Sequence, residues 1–207
     1  ETASGLMQPL AGSVLVNGED VHKIKAKKRA CIISVLSQQK NPGTLTVRAL
    51  VFHGRFPYLG YPRRYTEKDV EIVENAMKTA GVYEIADQSL SALSGRQQQK
   101  AYIAMILAQD TDVVFLDEPV TFLDINYQLE LMEMIKQMKN KGKTVVMVIH
   151  DLNLAMTCSD KIIAMNKGRV VCSGKPEKIY DENVFEKIFN IKTHYSSSEK
   201  QFFFSKP

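Results

Sequence analysis

Apolar residues along the 207-residue chain fall into short runs parted by polar turns. Val14-Leu15-Val16 reads as a short strand ended by the turn pair Asn17-Gly18. Residues 31–36 form a second apolar strand. Residues 40–65 gather Asn41-Pro42-Gly43, Gly54, Pro57, Gly60 and Pro62, which predicts loops with one short helix over 47–52. Thr66 opens a helix with Asp69 as a capping-box variant. Val70, Val73, Ala76, Met77 and Ala80 recur at helical spacing, and Gly81 supplies the stop. A further helix is predicted over 96–109.

The apolar run Val113-Val114-Phe115-Leu116 suits a parallel strand buried on both faces. Asp124 then caps a long helix whose predicted apolar face is Ile125, Leu129, Met132, Ile135 and Met138. Residues 144–149 read as another buried strand, and Asn166-Lys167-Gly168 as the turn of a hairpin. Short helices are expected over 176–190, and the tail from Ser196 is expected to be loose. Alternation of strand and helix in the second half predicts an α/β layered core, into which the helical stretch 40–108 looks inserted.

Composition narrows the function classes. Hydrophobic residues make up 44% and charged residues 24%, the balance of a soluble globular protein. The net charge of +4 is spread along the chain. The one basic cluster, residues 23–29, is short and lacks aromatic residues, so nucleic acid is not an expected partner. Cys31, Cys158 and Cys172 are odd in number and form no CxxC pair, which argues against a disulfide framework or zinc site. Cys31 and Cys172 read as small core residues, and a reducing compartment suits all three. No apolar run approaches the ~18 residues of a spanning helix, and no signal peptide is visible. Residues 2–7 look like the tail of a helix already under way, so a segment ahead of Glu1 is expected.

The chemistry starts at Asp117-Glu118-Pro119. A buried strand delivers Asp117 to the carboxyl edge of a sheet, where open α/β sheets bind ligands. One carboxylate can hold Mg²⁺. The next points elsewhere, since strand side chains alternate, and can take a proton from a water. Taken alone, the pair also fits solvated acids at a strand end. Leu93-Ser94-Gly95-Arg96-Gln97 opens a helix, whose free N–H groups and positive dipole end suit a phosphate. Ser94 equally fits a plain helix cap. His150 ends the strand over 144–149, a place where histidines are more often structural.

In this order, Gln38, Leu93-Ser94-Gly95-x-Gln97, Asp117-Glu118-Pro119, Leu123-Asp124 and His150 resemble the motifs of an ABC ATPase across nearly the whole chain. The resemblance implies a P-loop NTPase (RecA-like) α/β core, incomplete at its N-terminus, with an inserted helical subdomain. The implied divisions are 1–39 core, 40–108 helical signature subdomain, 109–195 core continued and 196–207 tail. It also implies ATP and Mg²⁺ as cofactors. Gln38 would reach the metal and the attacking water. Ser94, Gly95, Arg96 and Gln97 match the signature that contacts ATP held by the other subunit. Asp117 would be the magnesium ligand, Glu118 the catalytic base and His150 the switch histidine, while residues 120–124, ending in Asp124, match the loop that crosses the dimer. Thr44-Leu45-Thr46-Val47 and Gly54-Arg55-Phe56-Pro57-Tyr58, with the segments after Ile103 and His150, resemble importers of iron chelates, haem or cobalamin. Implied partners are a second copy, two membrane permease subunits and, indirectly, a substrate-binding protein, at the cytoplasmic face of the cell membrane.

Departures from the pattern matter as much. No GxxxxGK[ST] loop occurs in the sequence, and the family places it just ahead of residues 2–7, so these residues alone are expected to be inactive. Arg96 stands where the family usually has a second glycine. It adds a side chain near the phosphate site and a charge that pairs with phosphate oxygens. The strand over 144–149 is expected to lack one neighbour. The competing reading is a non-catalytic docking module.

Overall fold

Asn17 and Gly18 take positive φ, 50° and 80°, as a two-residue hairpin turn requires, and they join β1 (Leu15–Val16) to β2 (Glu19–Asp20). In this computed structural model, residues 1–37, 43–120, 124–196 and 201–207 are described. At the start of the chain the Gly5 N–H donates to the Thr2 carbonyl and the Leu6 N–H to the Glu1 carbonyl, both at 3.1 Å. Gly5 has φ 79°. Two such bonds around a left-handed glycine are the turn with which helices close, while residues 2–7 themselves form turns rather than helix.

α1 (Ala26–Ala30) leads into β3 (Ile33–Leu36). The chain then turns helical. α2 (Val47–His53) starts at Thr46, whose side chain accepts from Ala49 N–H. α3 (Glu67–Thr79) starts at the predicted capping box of Thr66 and Asp69, and Gly81 beyond it has φ 66°. Val73, Ala76, Met77 and Ala80 are buried as expected, but Val70 is exposed and Asp69 lies inside instead. α4 (Gly95–Gln109) packs on both α2 and α3.

β4 (Val113–Asp117) is the middle strand of a parallel sheet, between β3 and β5 (Thr144–Val148). α5 (Ile125–Asn140) connects β4 to β5. Its buried face is Tyr127, Leu131, Met134, Ile135 and Met138. The predicted face was rotated too far, since Ile125 and Leu129 are 66% and 60% exposed. β5 corrects a second expectation. Among the described residues it pairs with β4 alone, the single neighbour that was expected. Its side chains alternate between the two faces, and on one of them Val146 and Val148 are 39% and 52% exposed rather than buried.

Residue contacts gather Glu1–Val148 into one compact unit and Ile149–Pro207 into another. The helices of residues 47–109 stay with the sheet in the first. The second unit holds α6 (Leu152–Cys158), the predicted hairpin of β6 (Ile162–Asn166) and β7 (Arg169–Gly174), then α7 (Pro176–Asp181) and α8 (Val184–Phe189). Residues 201–205 of the tail, expected to be loose, form a strand. β8 (Lys192–Ser196) pairs antiparallel with β9 (Gln201–Ser205). Phe202 and Phe204 pack against a core of Met156, Ile162, Ile179 and Phe185, and this burial fastens the strand. Cys172 is buried, while Cys31 is half-buried in the turn before β3.

Candidate functional site

Asp117 is the last residue of the middle strand and sits opposite Val148 in register. Glu118 leaves the strand in a left-handed backbone conformation, φ 49°. Its N–H donates to the Val148 carbonyl at 3.0 Å. A left-handed backbone costs a non-glycine residue roughly 1–2 kcal/mol, and such strain gathers where a side chain must be aimed. Both carboxylates are half-buried at the carboxyl end of the sheet.

Two helices hold the turn that follows. Gln99 of α4, itself buried, donates through its side-chain amide to the Pro119 carbonyl at 2.9 Å. Gln128 of α5 donates to the Val120 carbonyl at 3.4 Å. Neither glutamine was singled out from the sequence. Within Gln97-Gln98-Gln99 the motif points to the first alone, and the other two need the fold to give them partners. Gln98 reaches the Leu90 and Leu93 carbonyls at 3.0 and 3.1 Å, tying down the approach to Ser94.

Ser94 caps α4. Its hydroxyl accepts from Gln97 N–H at 3.3 Å, and the Gln97 side-chain oxygen accepts from Ser94 N–H at 3.0 Å. The cap was the plainer of two readings, and it leaves the other possible. The next N–H groups, of Gly95 and Arg96, stand at the positive end of a 15-residue helix. A methyl built on Gly95 would meet nothing within 4 Å, so the approach to that backbone is open.

Arg96 turns its guanidinium toward α5. Nη1 donates to Asp124 Oδ2 at 3.2 Å and Nη2 to Glu130 Oε1 at 3.3 Å. Asp124 Oδ1 meanwhile accepts from Tyr127 N–H at 3.0 Å, capping α5. Lys100 Nζ lies 2.8 Å from Glu130 Oε2. Its hydrogen bond is the main reason the Glu130 carboxyl falls below its usual range. Both cations lie over the Tyr127 ring, at 5.2 and 5.1 Å from its centre. Burial, aided by Glu130 and opposed by Arg96, pushes the Tyr127 phenol far above its ordinary value. Its hydroxyl has no hydrogen-bond partner among the described residues.

The remaining predicted residues lie elsewhere. Gln38 and residues 121–123 fall outside the described residues. His150 is exposed and belongs to the second unit, ahead of Asp151, which caps α6 by accepting from Leu154 N–H at 3.1 Å. Among the described residues, no group of three His, Cys, Asp or Glu side chains could hold a metal ion. One carboxylate at a phosphate site still fits Mg²⁺, which takes one or two carboxylates with phosphate and water oxygens.

Residues 1–121 match the family model described as ABC transporter. The petrobactin import ATP-binding protein FpuD of Bacillus anthracis is 38% identical over 194 residues, 93% of this chain and 71% of that protein. The ferric enterobactin transport ATP-binding protein FepC of Escherichia coli is 39% identical over 193 residues, 92% of this chain and 71% of that protein. Among solved structures, the dimeric bacterial ABC transporter cassette MJ0796 superposes with a TM-score of 0.73 at 27% identity. That match covers 84% of this chain and 77% of the other.

Proposed function

The chain belongs to the ABC transporter ATP-binding family, and from that membership we propose how its residues divide the work of ATP hydrolysis. It is the ATP-binding and ATP-hydrolysing subunit of an importer. Iron chelates of the siderophore kind are the proposed cargo, after relatives named for petrobactin and enterobactin.

The reading rests on one observation: Asp117 and Glu118 follow each other at the carboxyl end of the middle parallel strand. Asp117 would hold Mg²⁺, which when bound would offset the charge of the terminal phosphates. Glu118 takes the proton of the attacking water as its oxygen bonds to the γ-phosphorus. The bond from that phosphorus to the bridging oxygen breaks, and ADP leaves with the electron pair. By family likeness, His150 is proposed as the switch histidine and Gln38 as the glutamine that senses the attacking water. Ser94, Gly95 and the backbone N–H of Arg96, with Gln97 fixing the serine, present the start of α4 to ATP held by a second copy. Asp124 stands at the dimer crossing. The helices between β3 and β4 serve as the signature subdomain.

The working assembly is a homodimer, in keeping with the dimeric cassette. It docks on two integral-membrane permease subunits, and a substrate-binding protein selects the cargo. No helix among the described residues is long and apolar enough to cross a membrane. Attachment at the cytoplasmic face is therefore proposed to run through the permease. The test is Glu118→Gln in the assembled transporter. ATP binding should persist while hydrolysis and uptake fall together by about 10²–10⁴-fold. Hydrolysis at the unsubstituted rate would sink this assignment.

A further inference from the structure

Arg96 occupies the second position of α4, two residues past Ser94, yet its Nη1 and Nη2 donate to the carboxylates of Asp124, the cap of α5, and of Glu130 within α5. One of these, Asp124, caps α5 with its other oxygen. A second tie, Lys100 to Glu130, follows one turn further along. The wholly buried ring of Tyr127 lies beneath both cations. The first turns of α4 and α5 are thereby bolted together. The same two helices hold the carboxylate turn, α4 through Gln99 on the Pro119 carbonyl and α5 through Gln128 on the Val120 carbonyl. Glu118 immediately precedes that turn.

We propose that Arg96 is a positioning residue, which couples the serine-bearing start of α4 to α5 and so fixes the frame from which Glu118 is aimed. It does this through Asp124, Glu130 and the Tyr127 ring rather than by binding nucleotide. This inference rests on the hydrolytic reading above. The network explains how an arginine is accommodated at this position. Its planar fork meets two carboxylates at once, and its charge is balanced within the chain.

The experiment measures ATP hydrolysis by the assembled transporter carrying Arg96→Ala, Arg96→Lys, Glu130→Gln and the double substitution Arg96→Ala with Glu130→Gln. Glu118→Gln serves as the reference for hydrolysis that depends on this site. Exposed ion pairs couple weakly and networks more strongly, so Arg96→Ala and Glu130→Gln should each lower kcat about two- to fivefold. KM for ATP should hold. The double substitution should be no worse than the stronger single one, and Arg96→Lys should recover part of the loss. Hydrogen exchange on the same assemblies without nucleotide should quicken at amides 95–98 and 125–128 together in Arg96→Ala.

Three results overturn the proposal. The first is an unchanged kcat in both single variants. The second is a raised KM in Arg96→Ala with a lowered KM in Glu130→Gln, which would mean that the arginine binds nucleotide. The third is hydrolysis indifferent to Glu118→Gln, which removes the functional reading and the positioning role with it. Exchange coupling of the two helices would persist in that third case, so the two failures are told apart.

Discussion

The side-chain amide of Gln99 donates to the Pro119 carbonyl oxygen at 2.9 Å, and both residues are buried. A helix capped by Ser94 thus grips the backbone just past Glu118. Replacing the amide with a similar apolar shape, Gln99→Leu, leaves that carbonyl without this donor. The expected cost is about 1–3 kcal/mol of stability, read as a lower urea midpoint. The loosened turn should also lower kcat for ATP more than it alters KM. A variant with wild-type kcat and reduced stability would confine Gln99 to a structural role.

Glu118 combines a catalytic assignment with an unfavourable backbone, φ 49°. The two can be separated by comparing Glu118→Ala with Glu118→Gly. Both remove the carboxylate, so both should abolish hydrolysis. Glycine adopts positive φ freely, while alanine retains the Cβ penalty of about 1–2 kcal/mol. The glycine variant should therefore unfold at the higher denaturant concentration, against the usual ranking of these residues outside turns. Equal midpoints would show that the backbone strain carries no weight.

Several of these features could be read from the chain alone, and the reasons differ. Ser94 and Gln97, like Thr66 and Asp69, sit at the spacing of a capping box, which is local chemistry and survives any tertiary arrangement. Asp117 was legible because an apolar strand must end somewhere, and acids mark the end. The face of α5 was not. Ile125 and Leu129 lie in one apolar stripe and Tyr127, Leu131 and Met134 in another, and packing selects between overlapping stripes. β5 was recognisable as a strand, but an apolar run does not say which face goes uncovered, and the face of Val146 and Val148 is exposed. The pairing of β8 with β9 rests on the packing of Phe202 and Phe204 against the core and on contact between Tyr195 and Phe202, whose rings lie 4.9 Å apart. Gln99 and Pro119 are distant in sequence, so their bond was invisible until the fold was known.

Gly54 within Gly54-Arg55-Phe56-Pro57-Tyr58 has ordinary helical backbone, φ −57°, so its role is one of space. A methyl group there would run into the Met105 carbonyl oxygen and lie 2.9 Å from the Gln109 amide nitrogen, both backbone atoms of α4. The neighbouring residues clasp the same helix. Arg55 donates to the Ala108 carbonyl at 2.9 Å and Tyr58 to the Gln109 carbonyl at 2.7 Å. Gly54→Ala should destabilise the protein by about 1–3 kcal/mol through overpacking. Gly60→Ala is the control, since a methyl there meets nothing within 4 Å, and its unfolding midpoint should stay close to wild type. Similar midpoints for the two variants would show that α2 and α4 can move apart at little cost.

Arg55 and Asp69 form a buried ion pair, Nε to Oδ1 at 2.9 Å, that makes acid sensitivity predictable. Burial pushes the Asp69 carboxyl up. The Thr66 N–H and hydroxyl, at 2.9 and 2.7 Å, and the Arg55 guanidinium outweigh it and hold the group below its usual value. A carboxyl with a depressed folded-state pKa binds its proton more readily when unfolded. Its stabilisation is therefore complete above the unfolded value of about 3.9 and disappears as pH falls through the lower folded value. Asp69→Asn strands the Arg55 charge, and at neutral pH it should cost about 3–5 kcal/mol. Urea midpoints of the two proteins should hold their separation down to about pH 4 and converge as pH falls below it, because only the wild type still has this carboxylate to lose. Curves that stay parallel across that range would mean that Asp69 keeps its ordinary pKa and that this ion pair is not a source of acid lability.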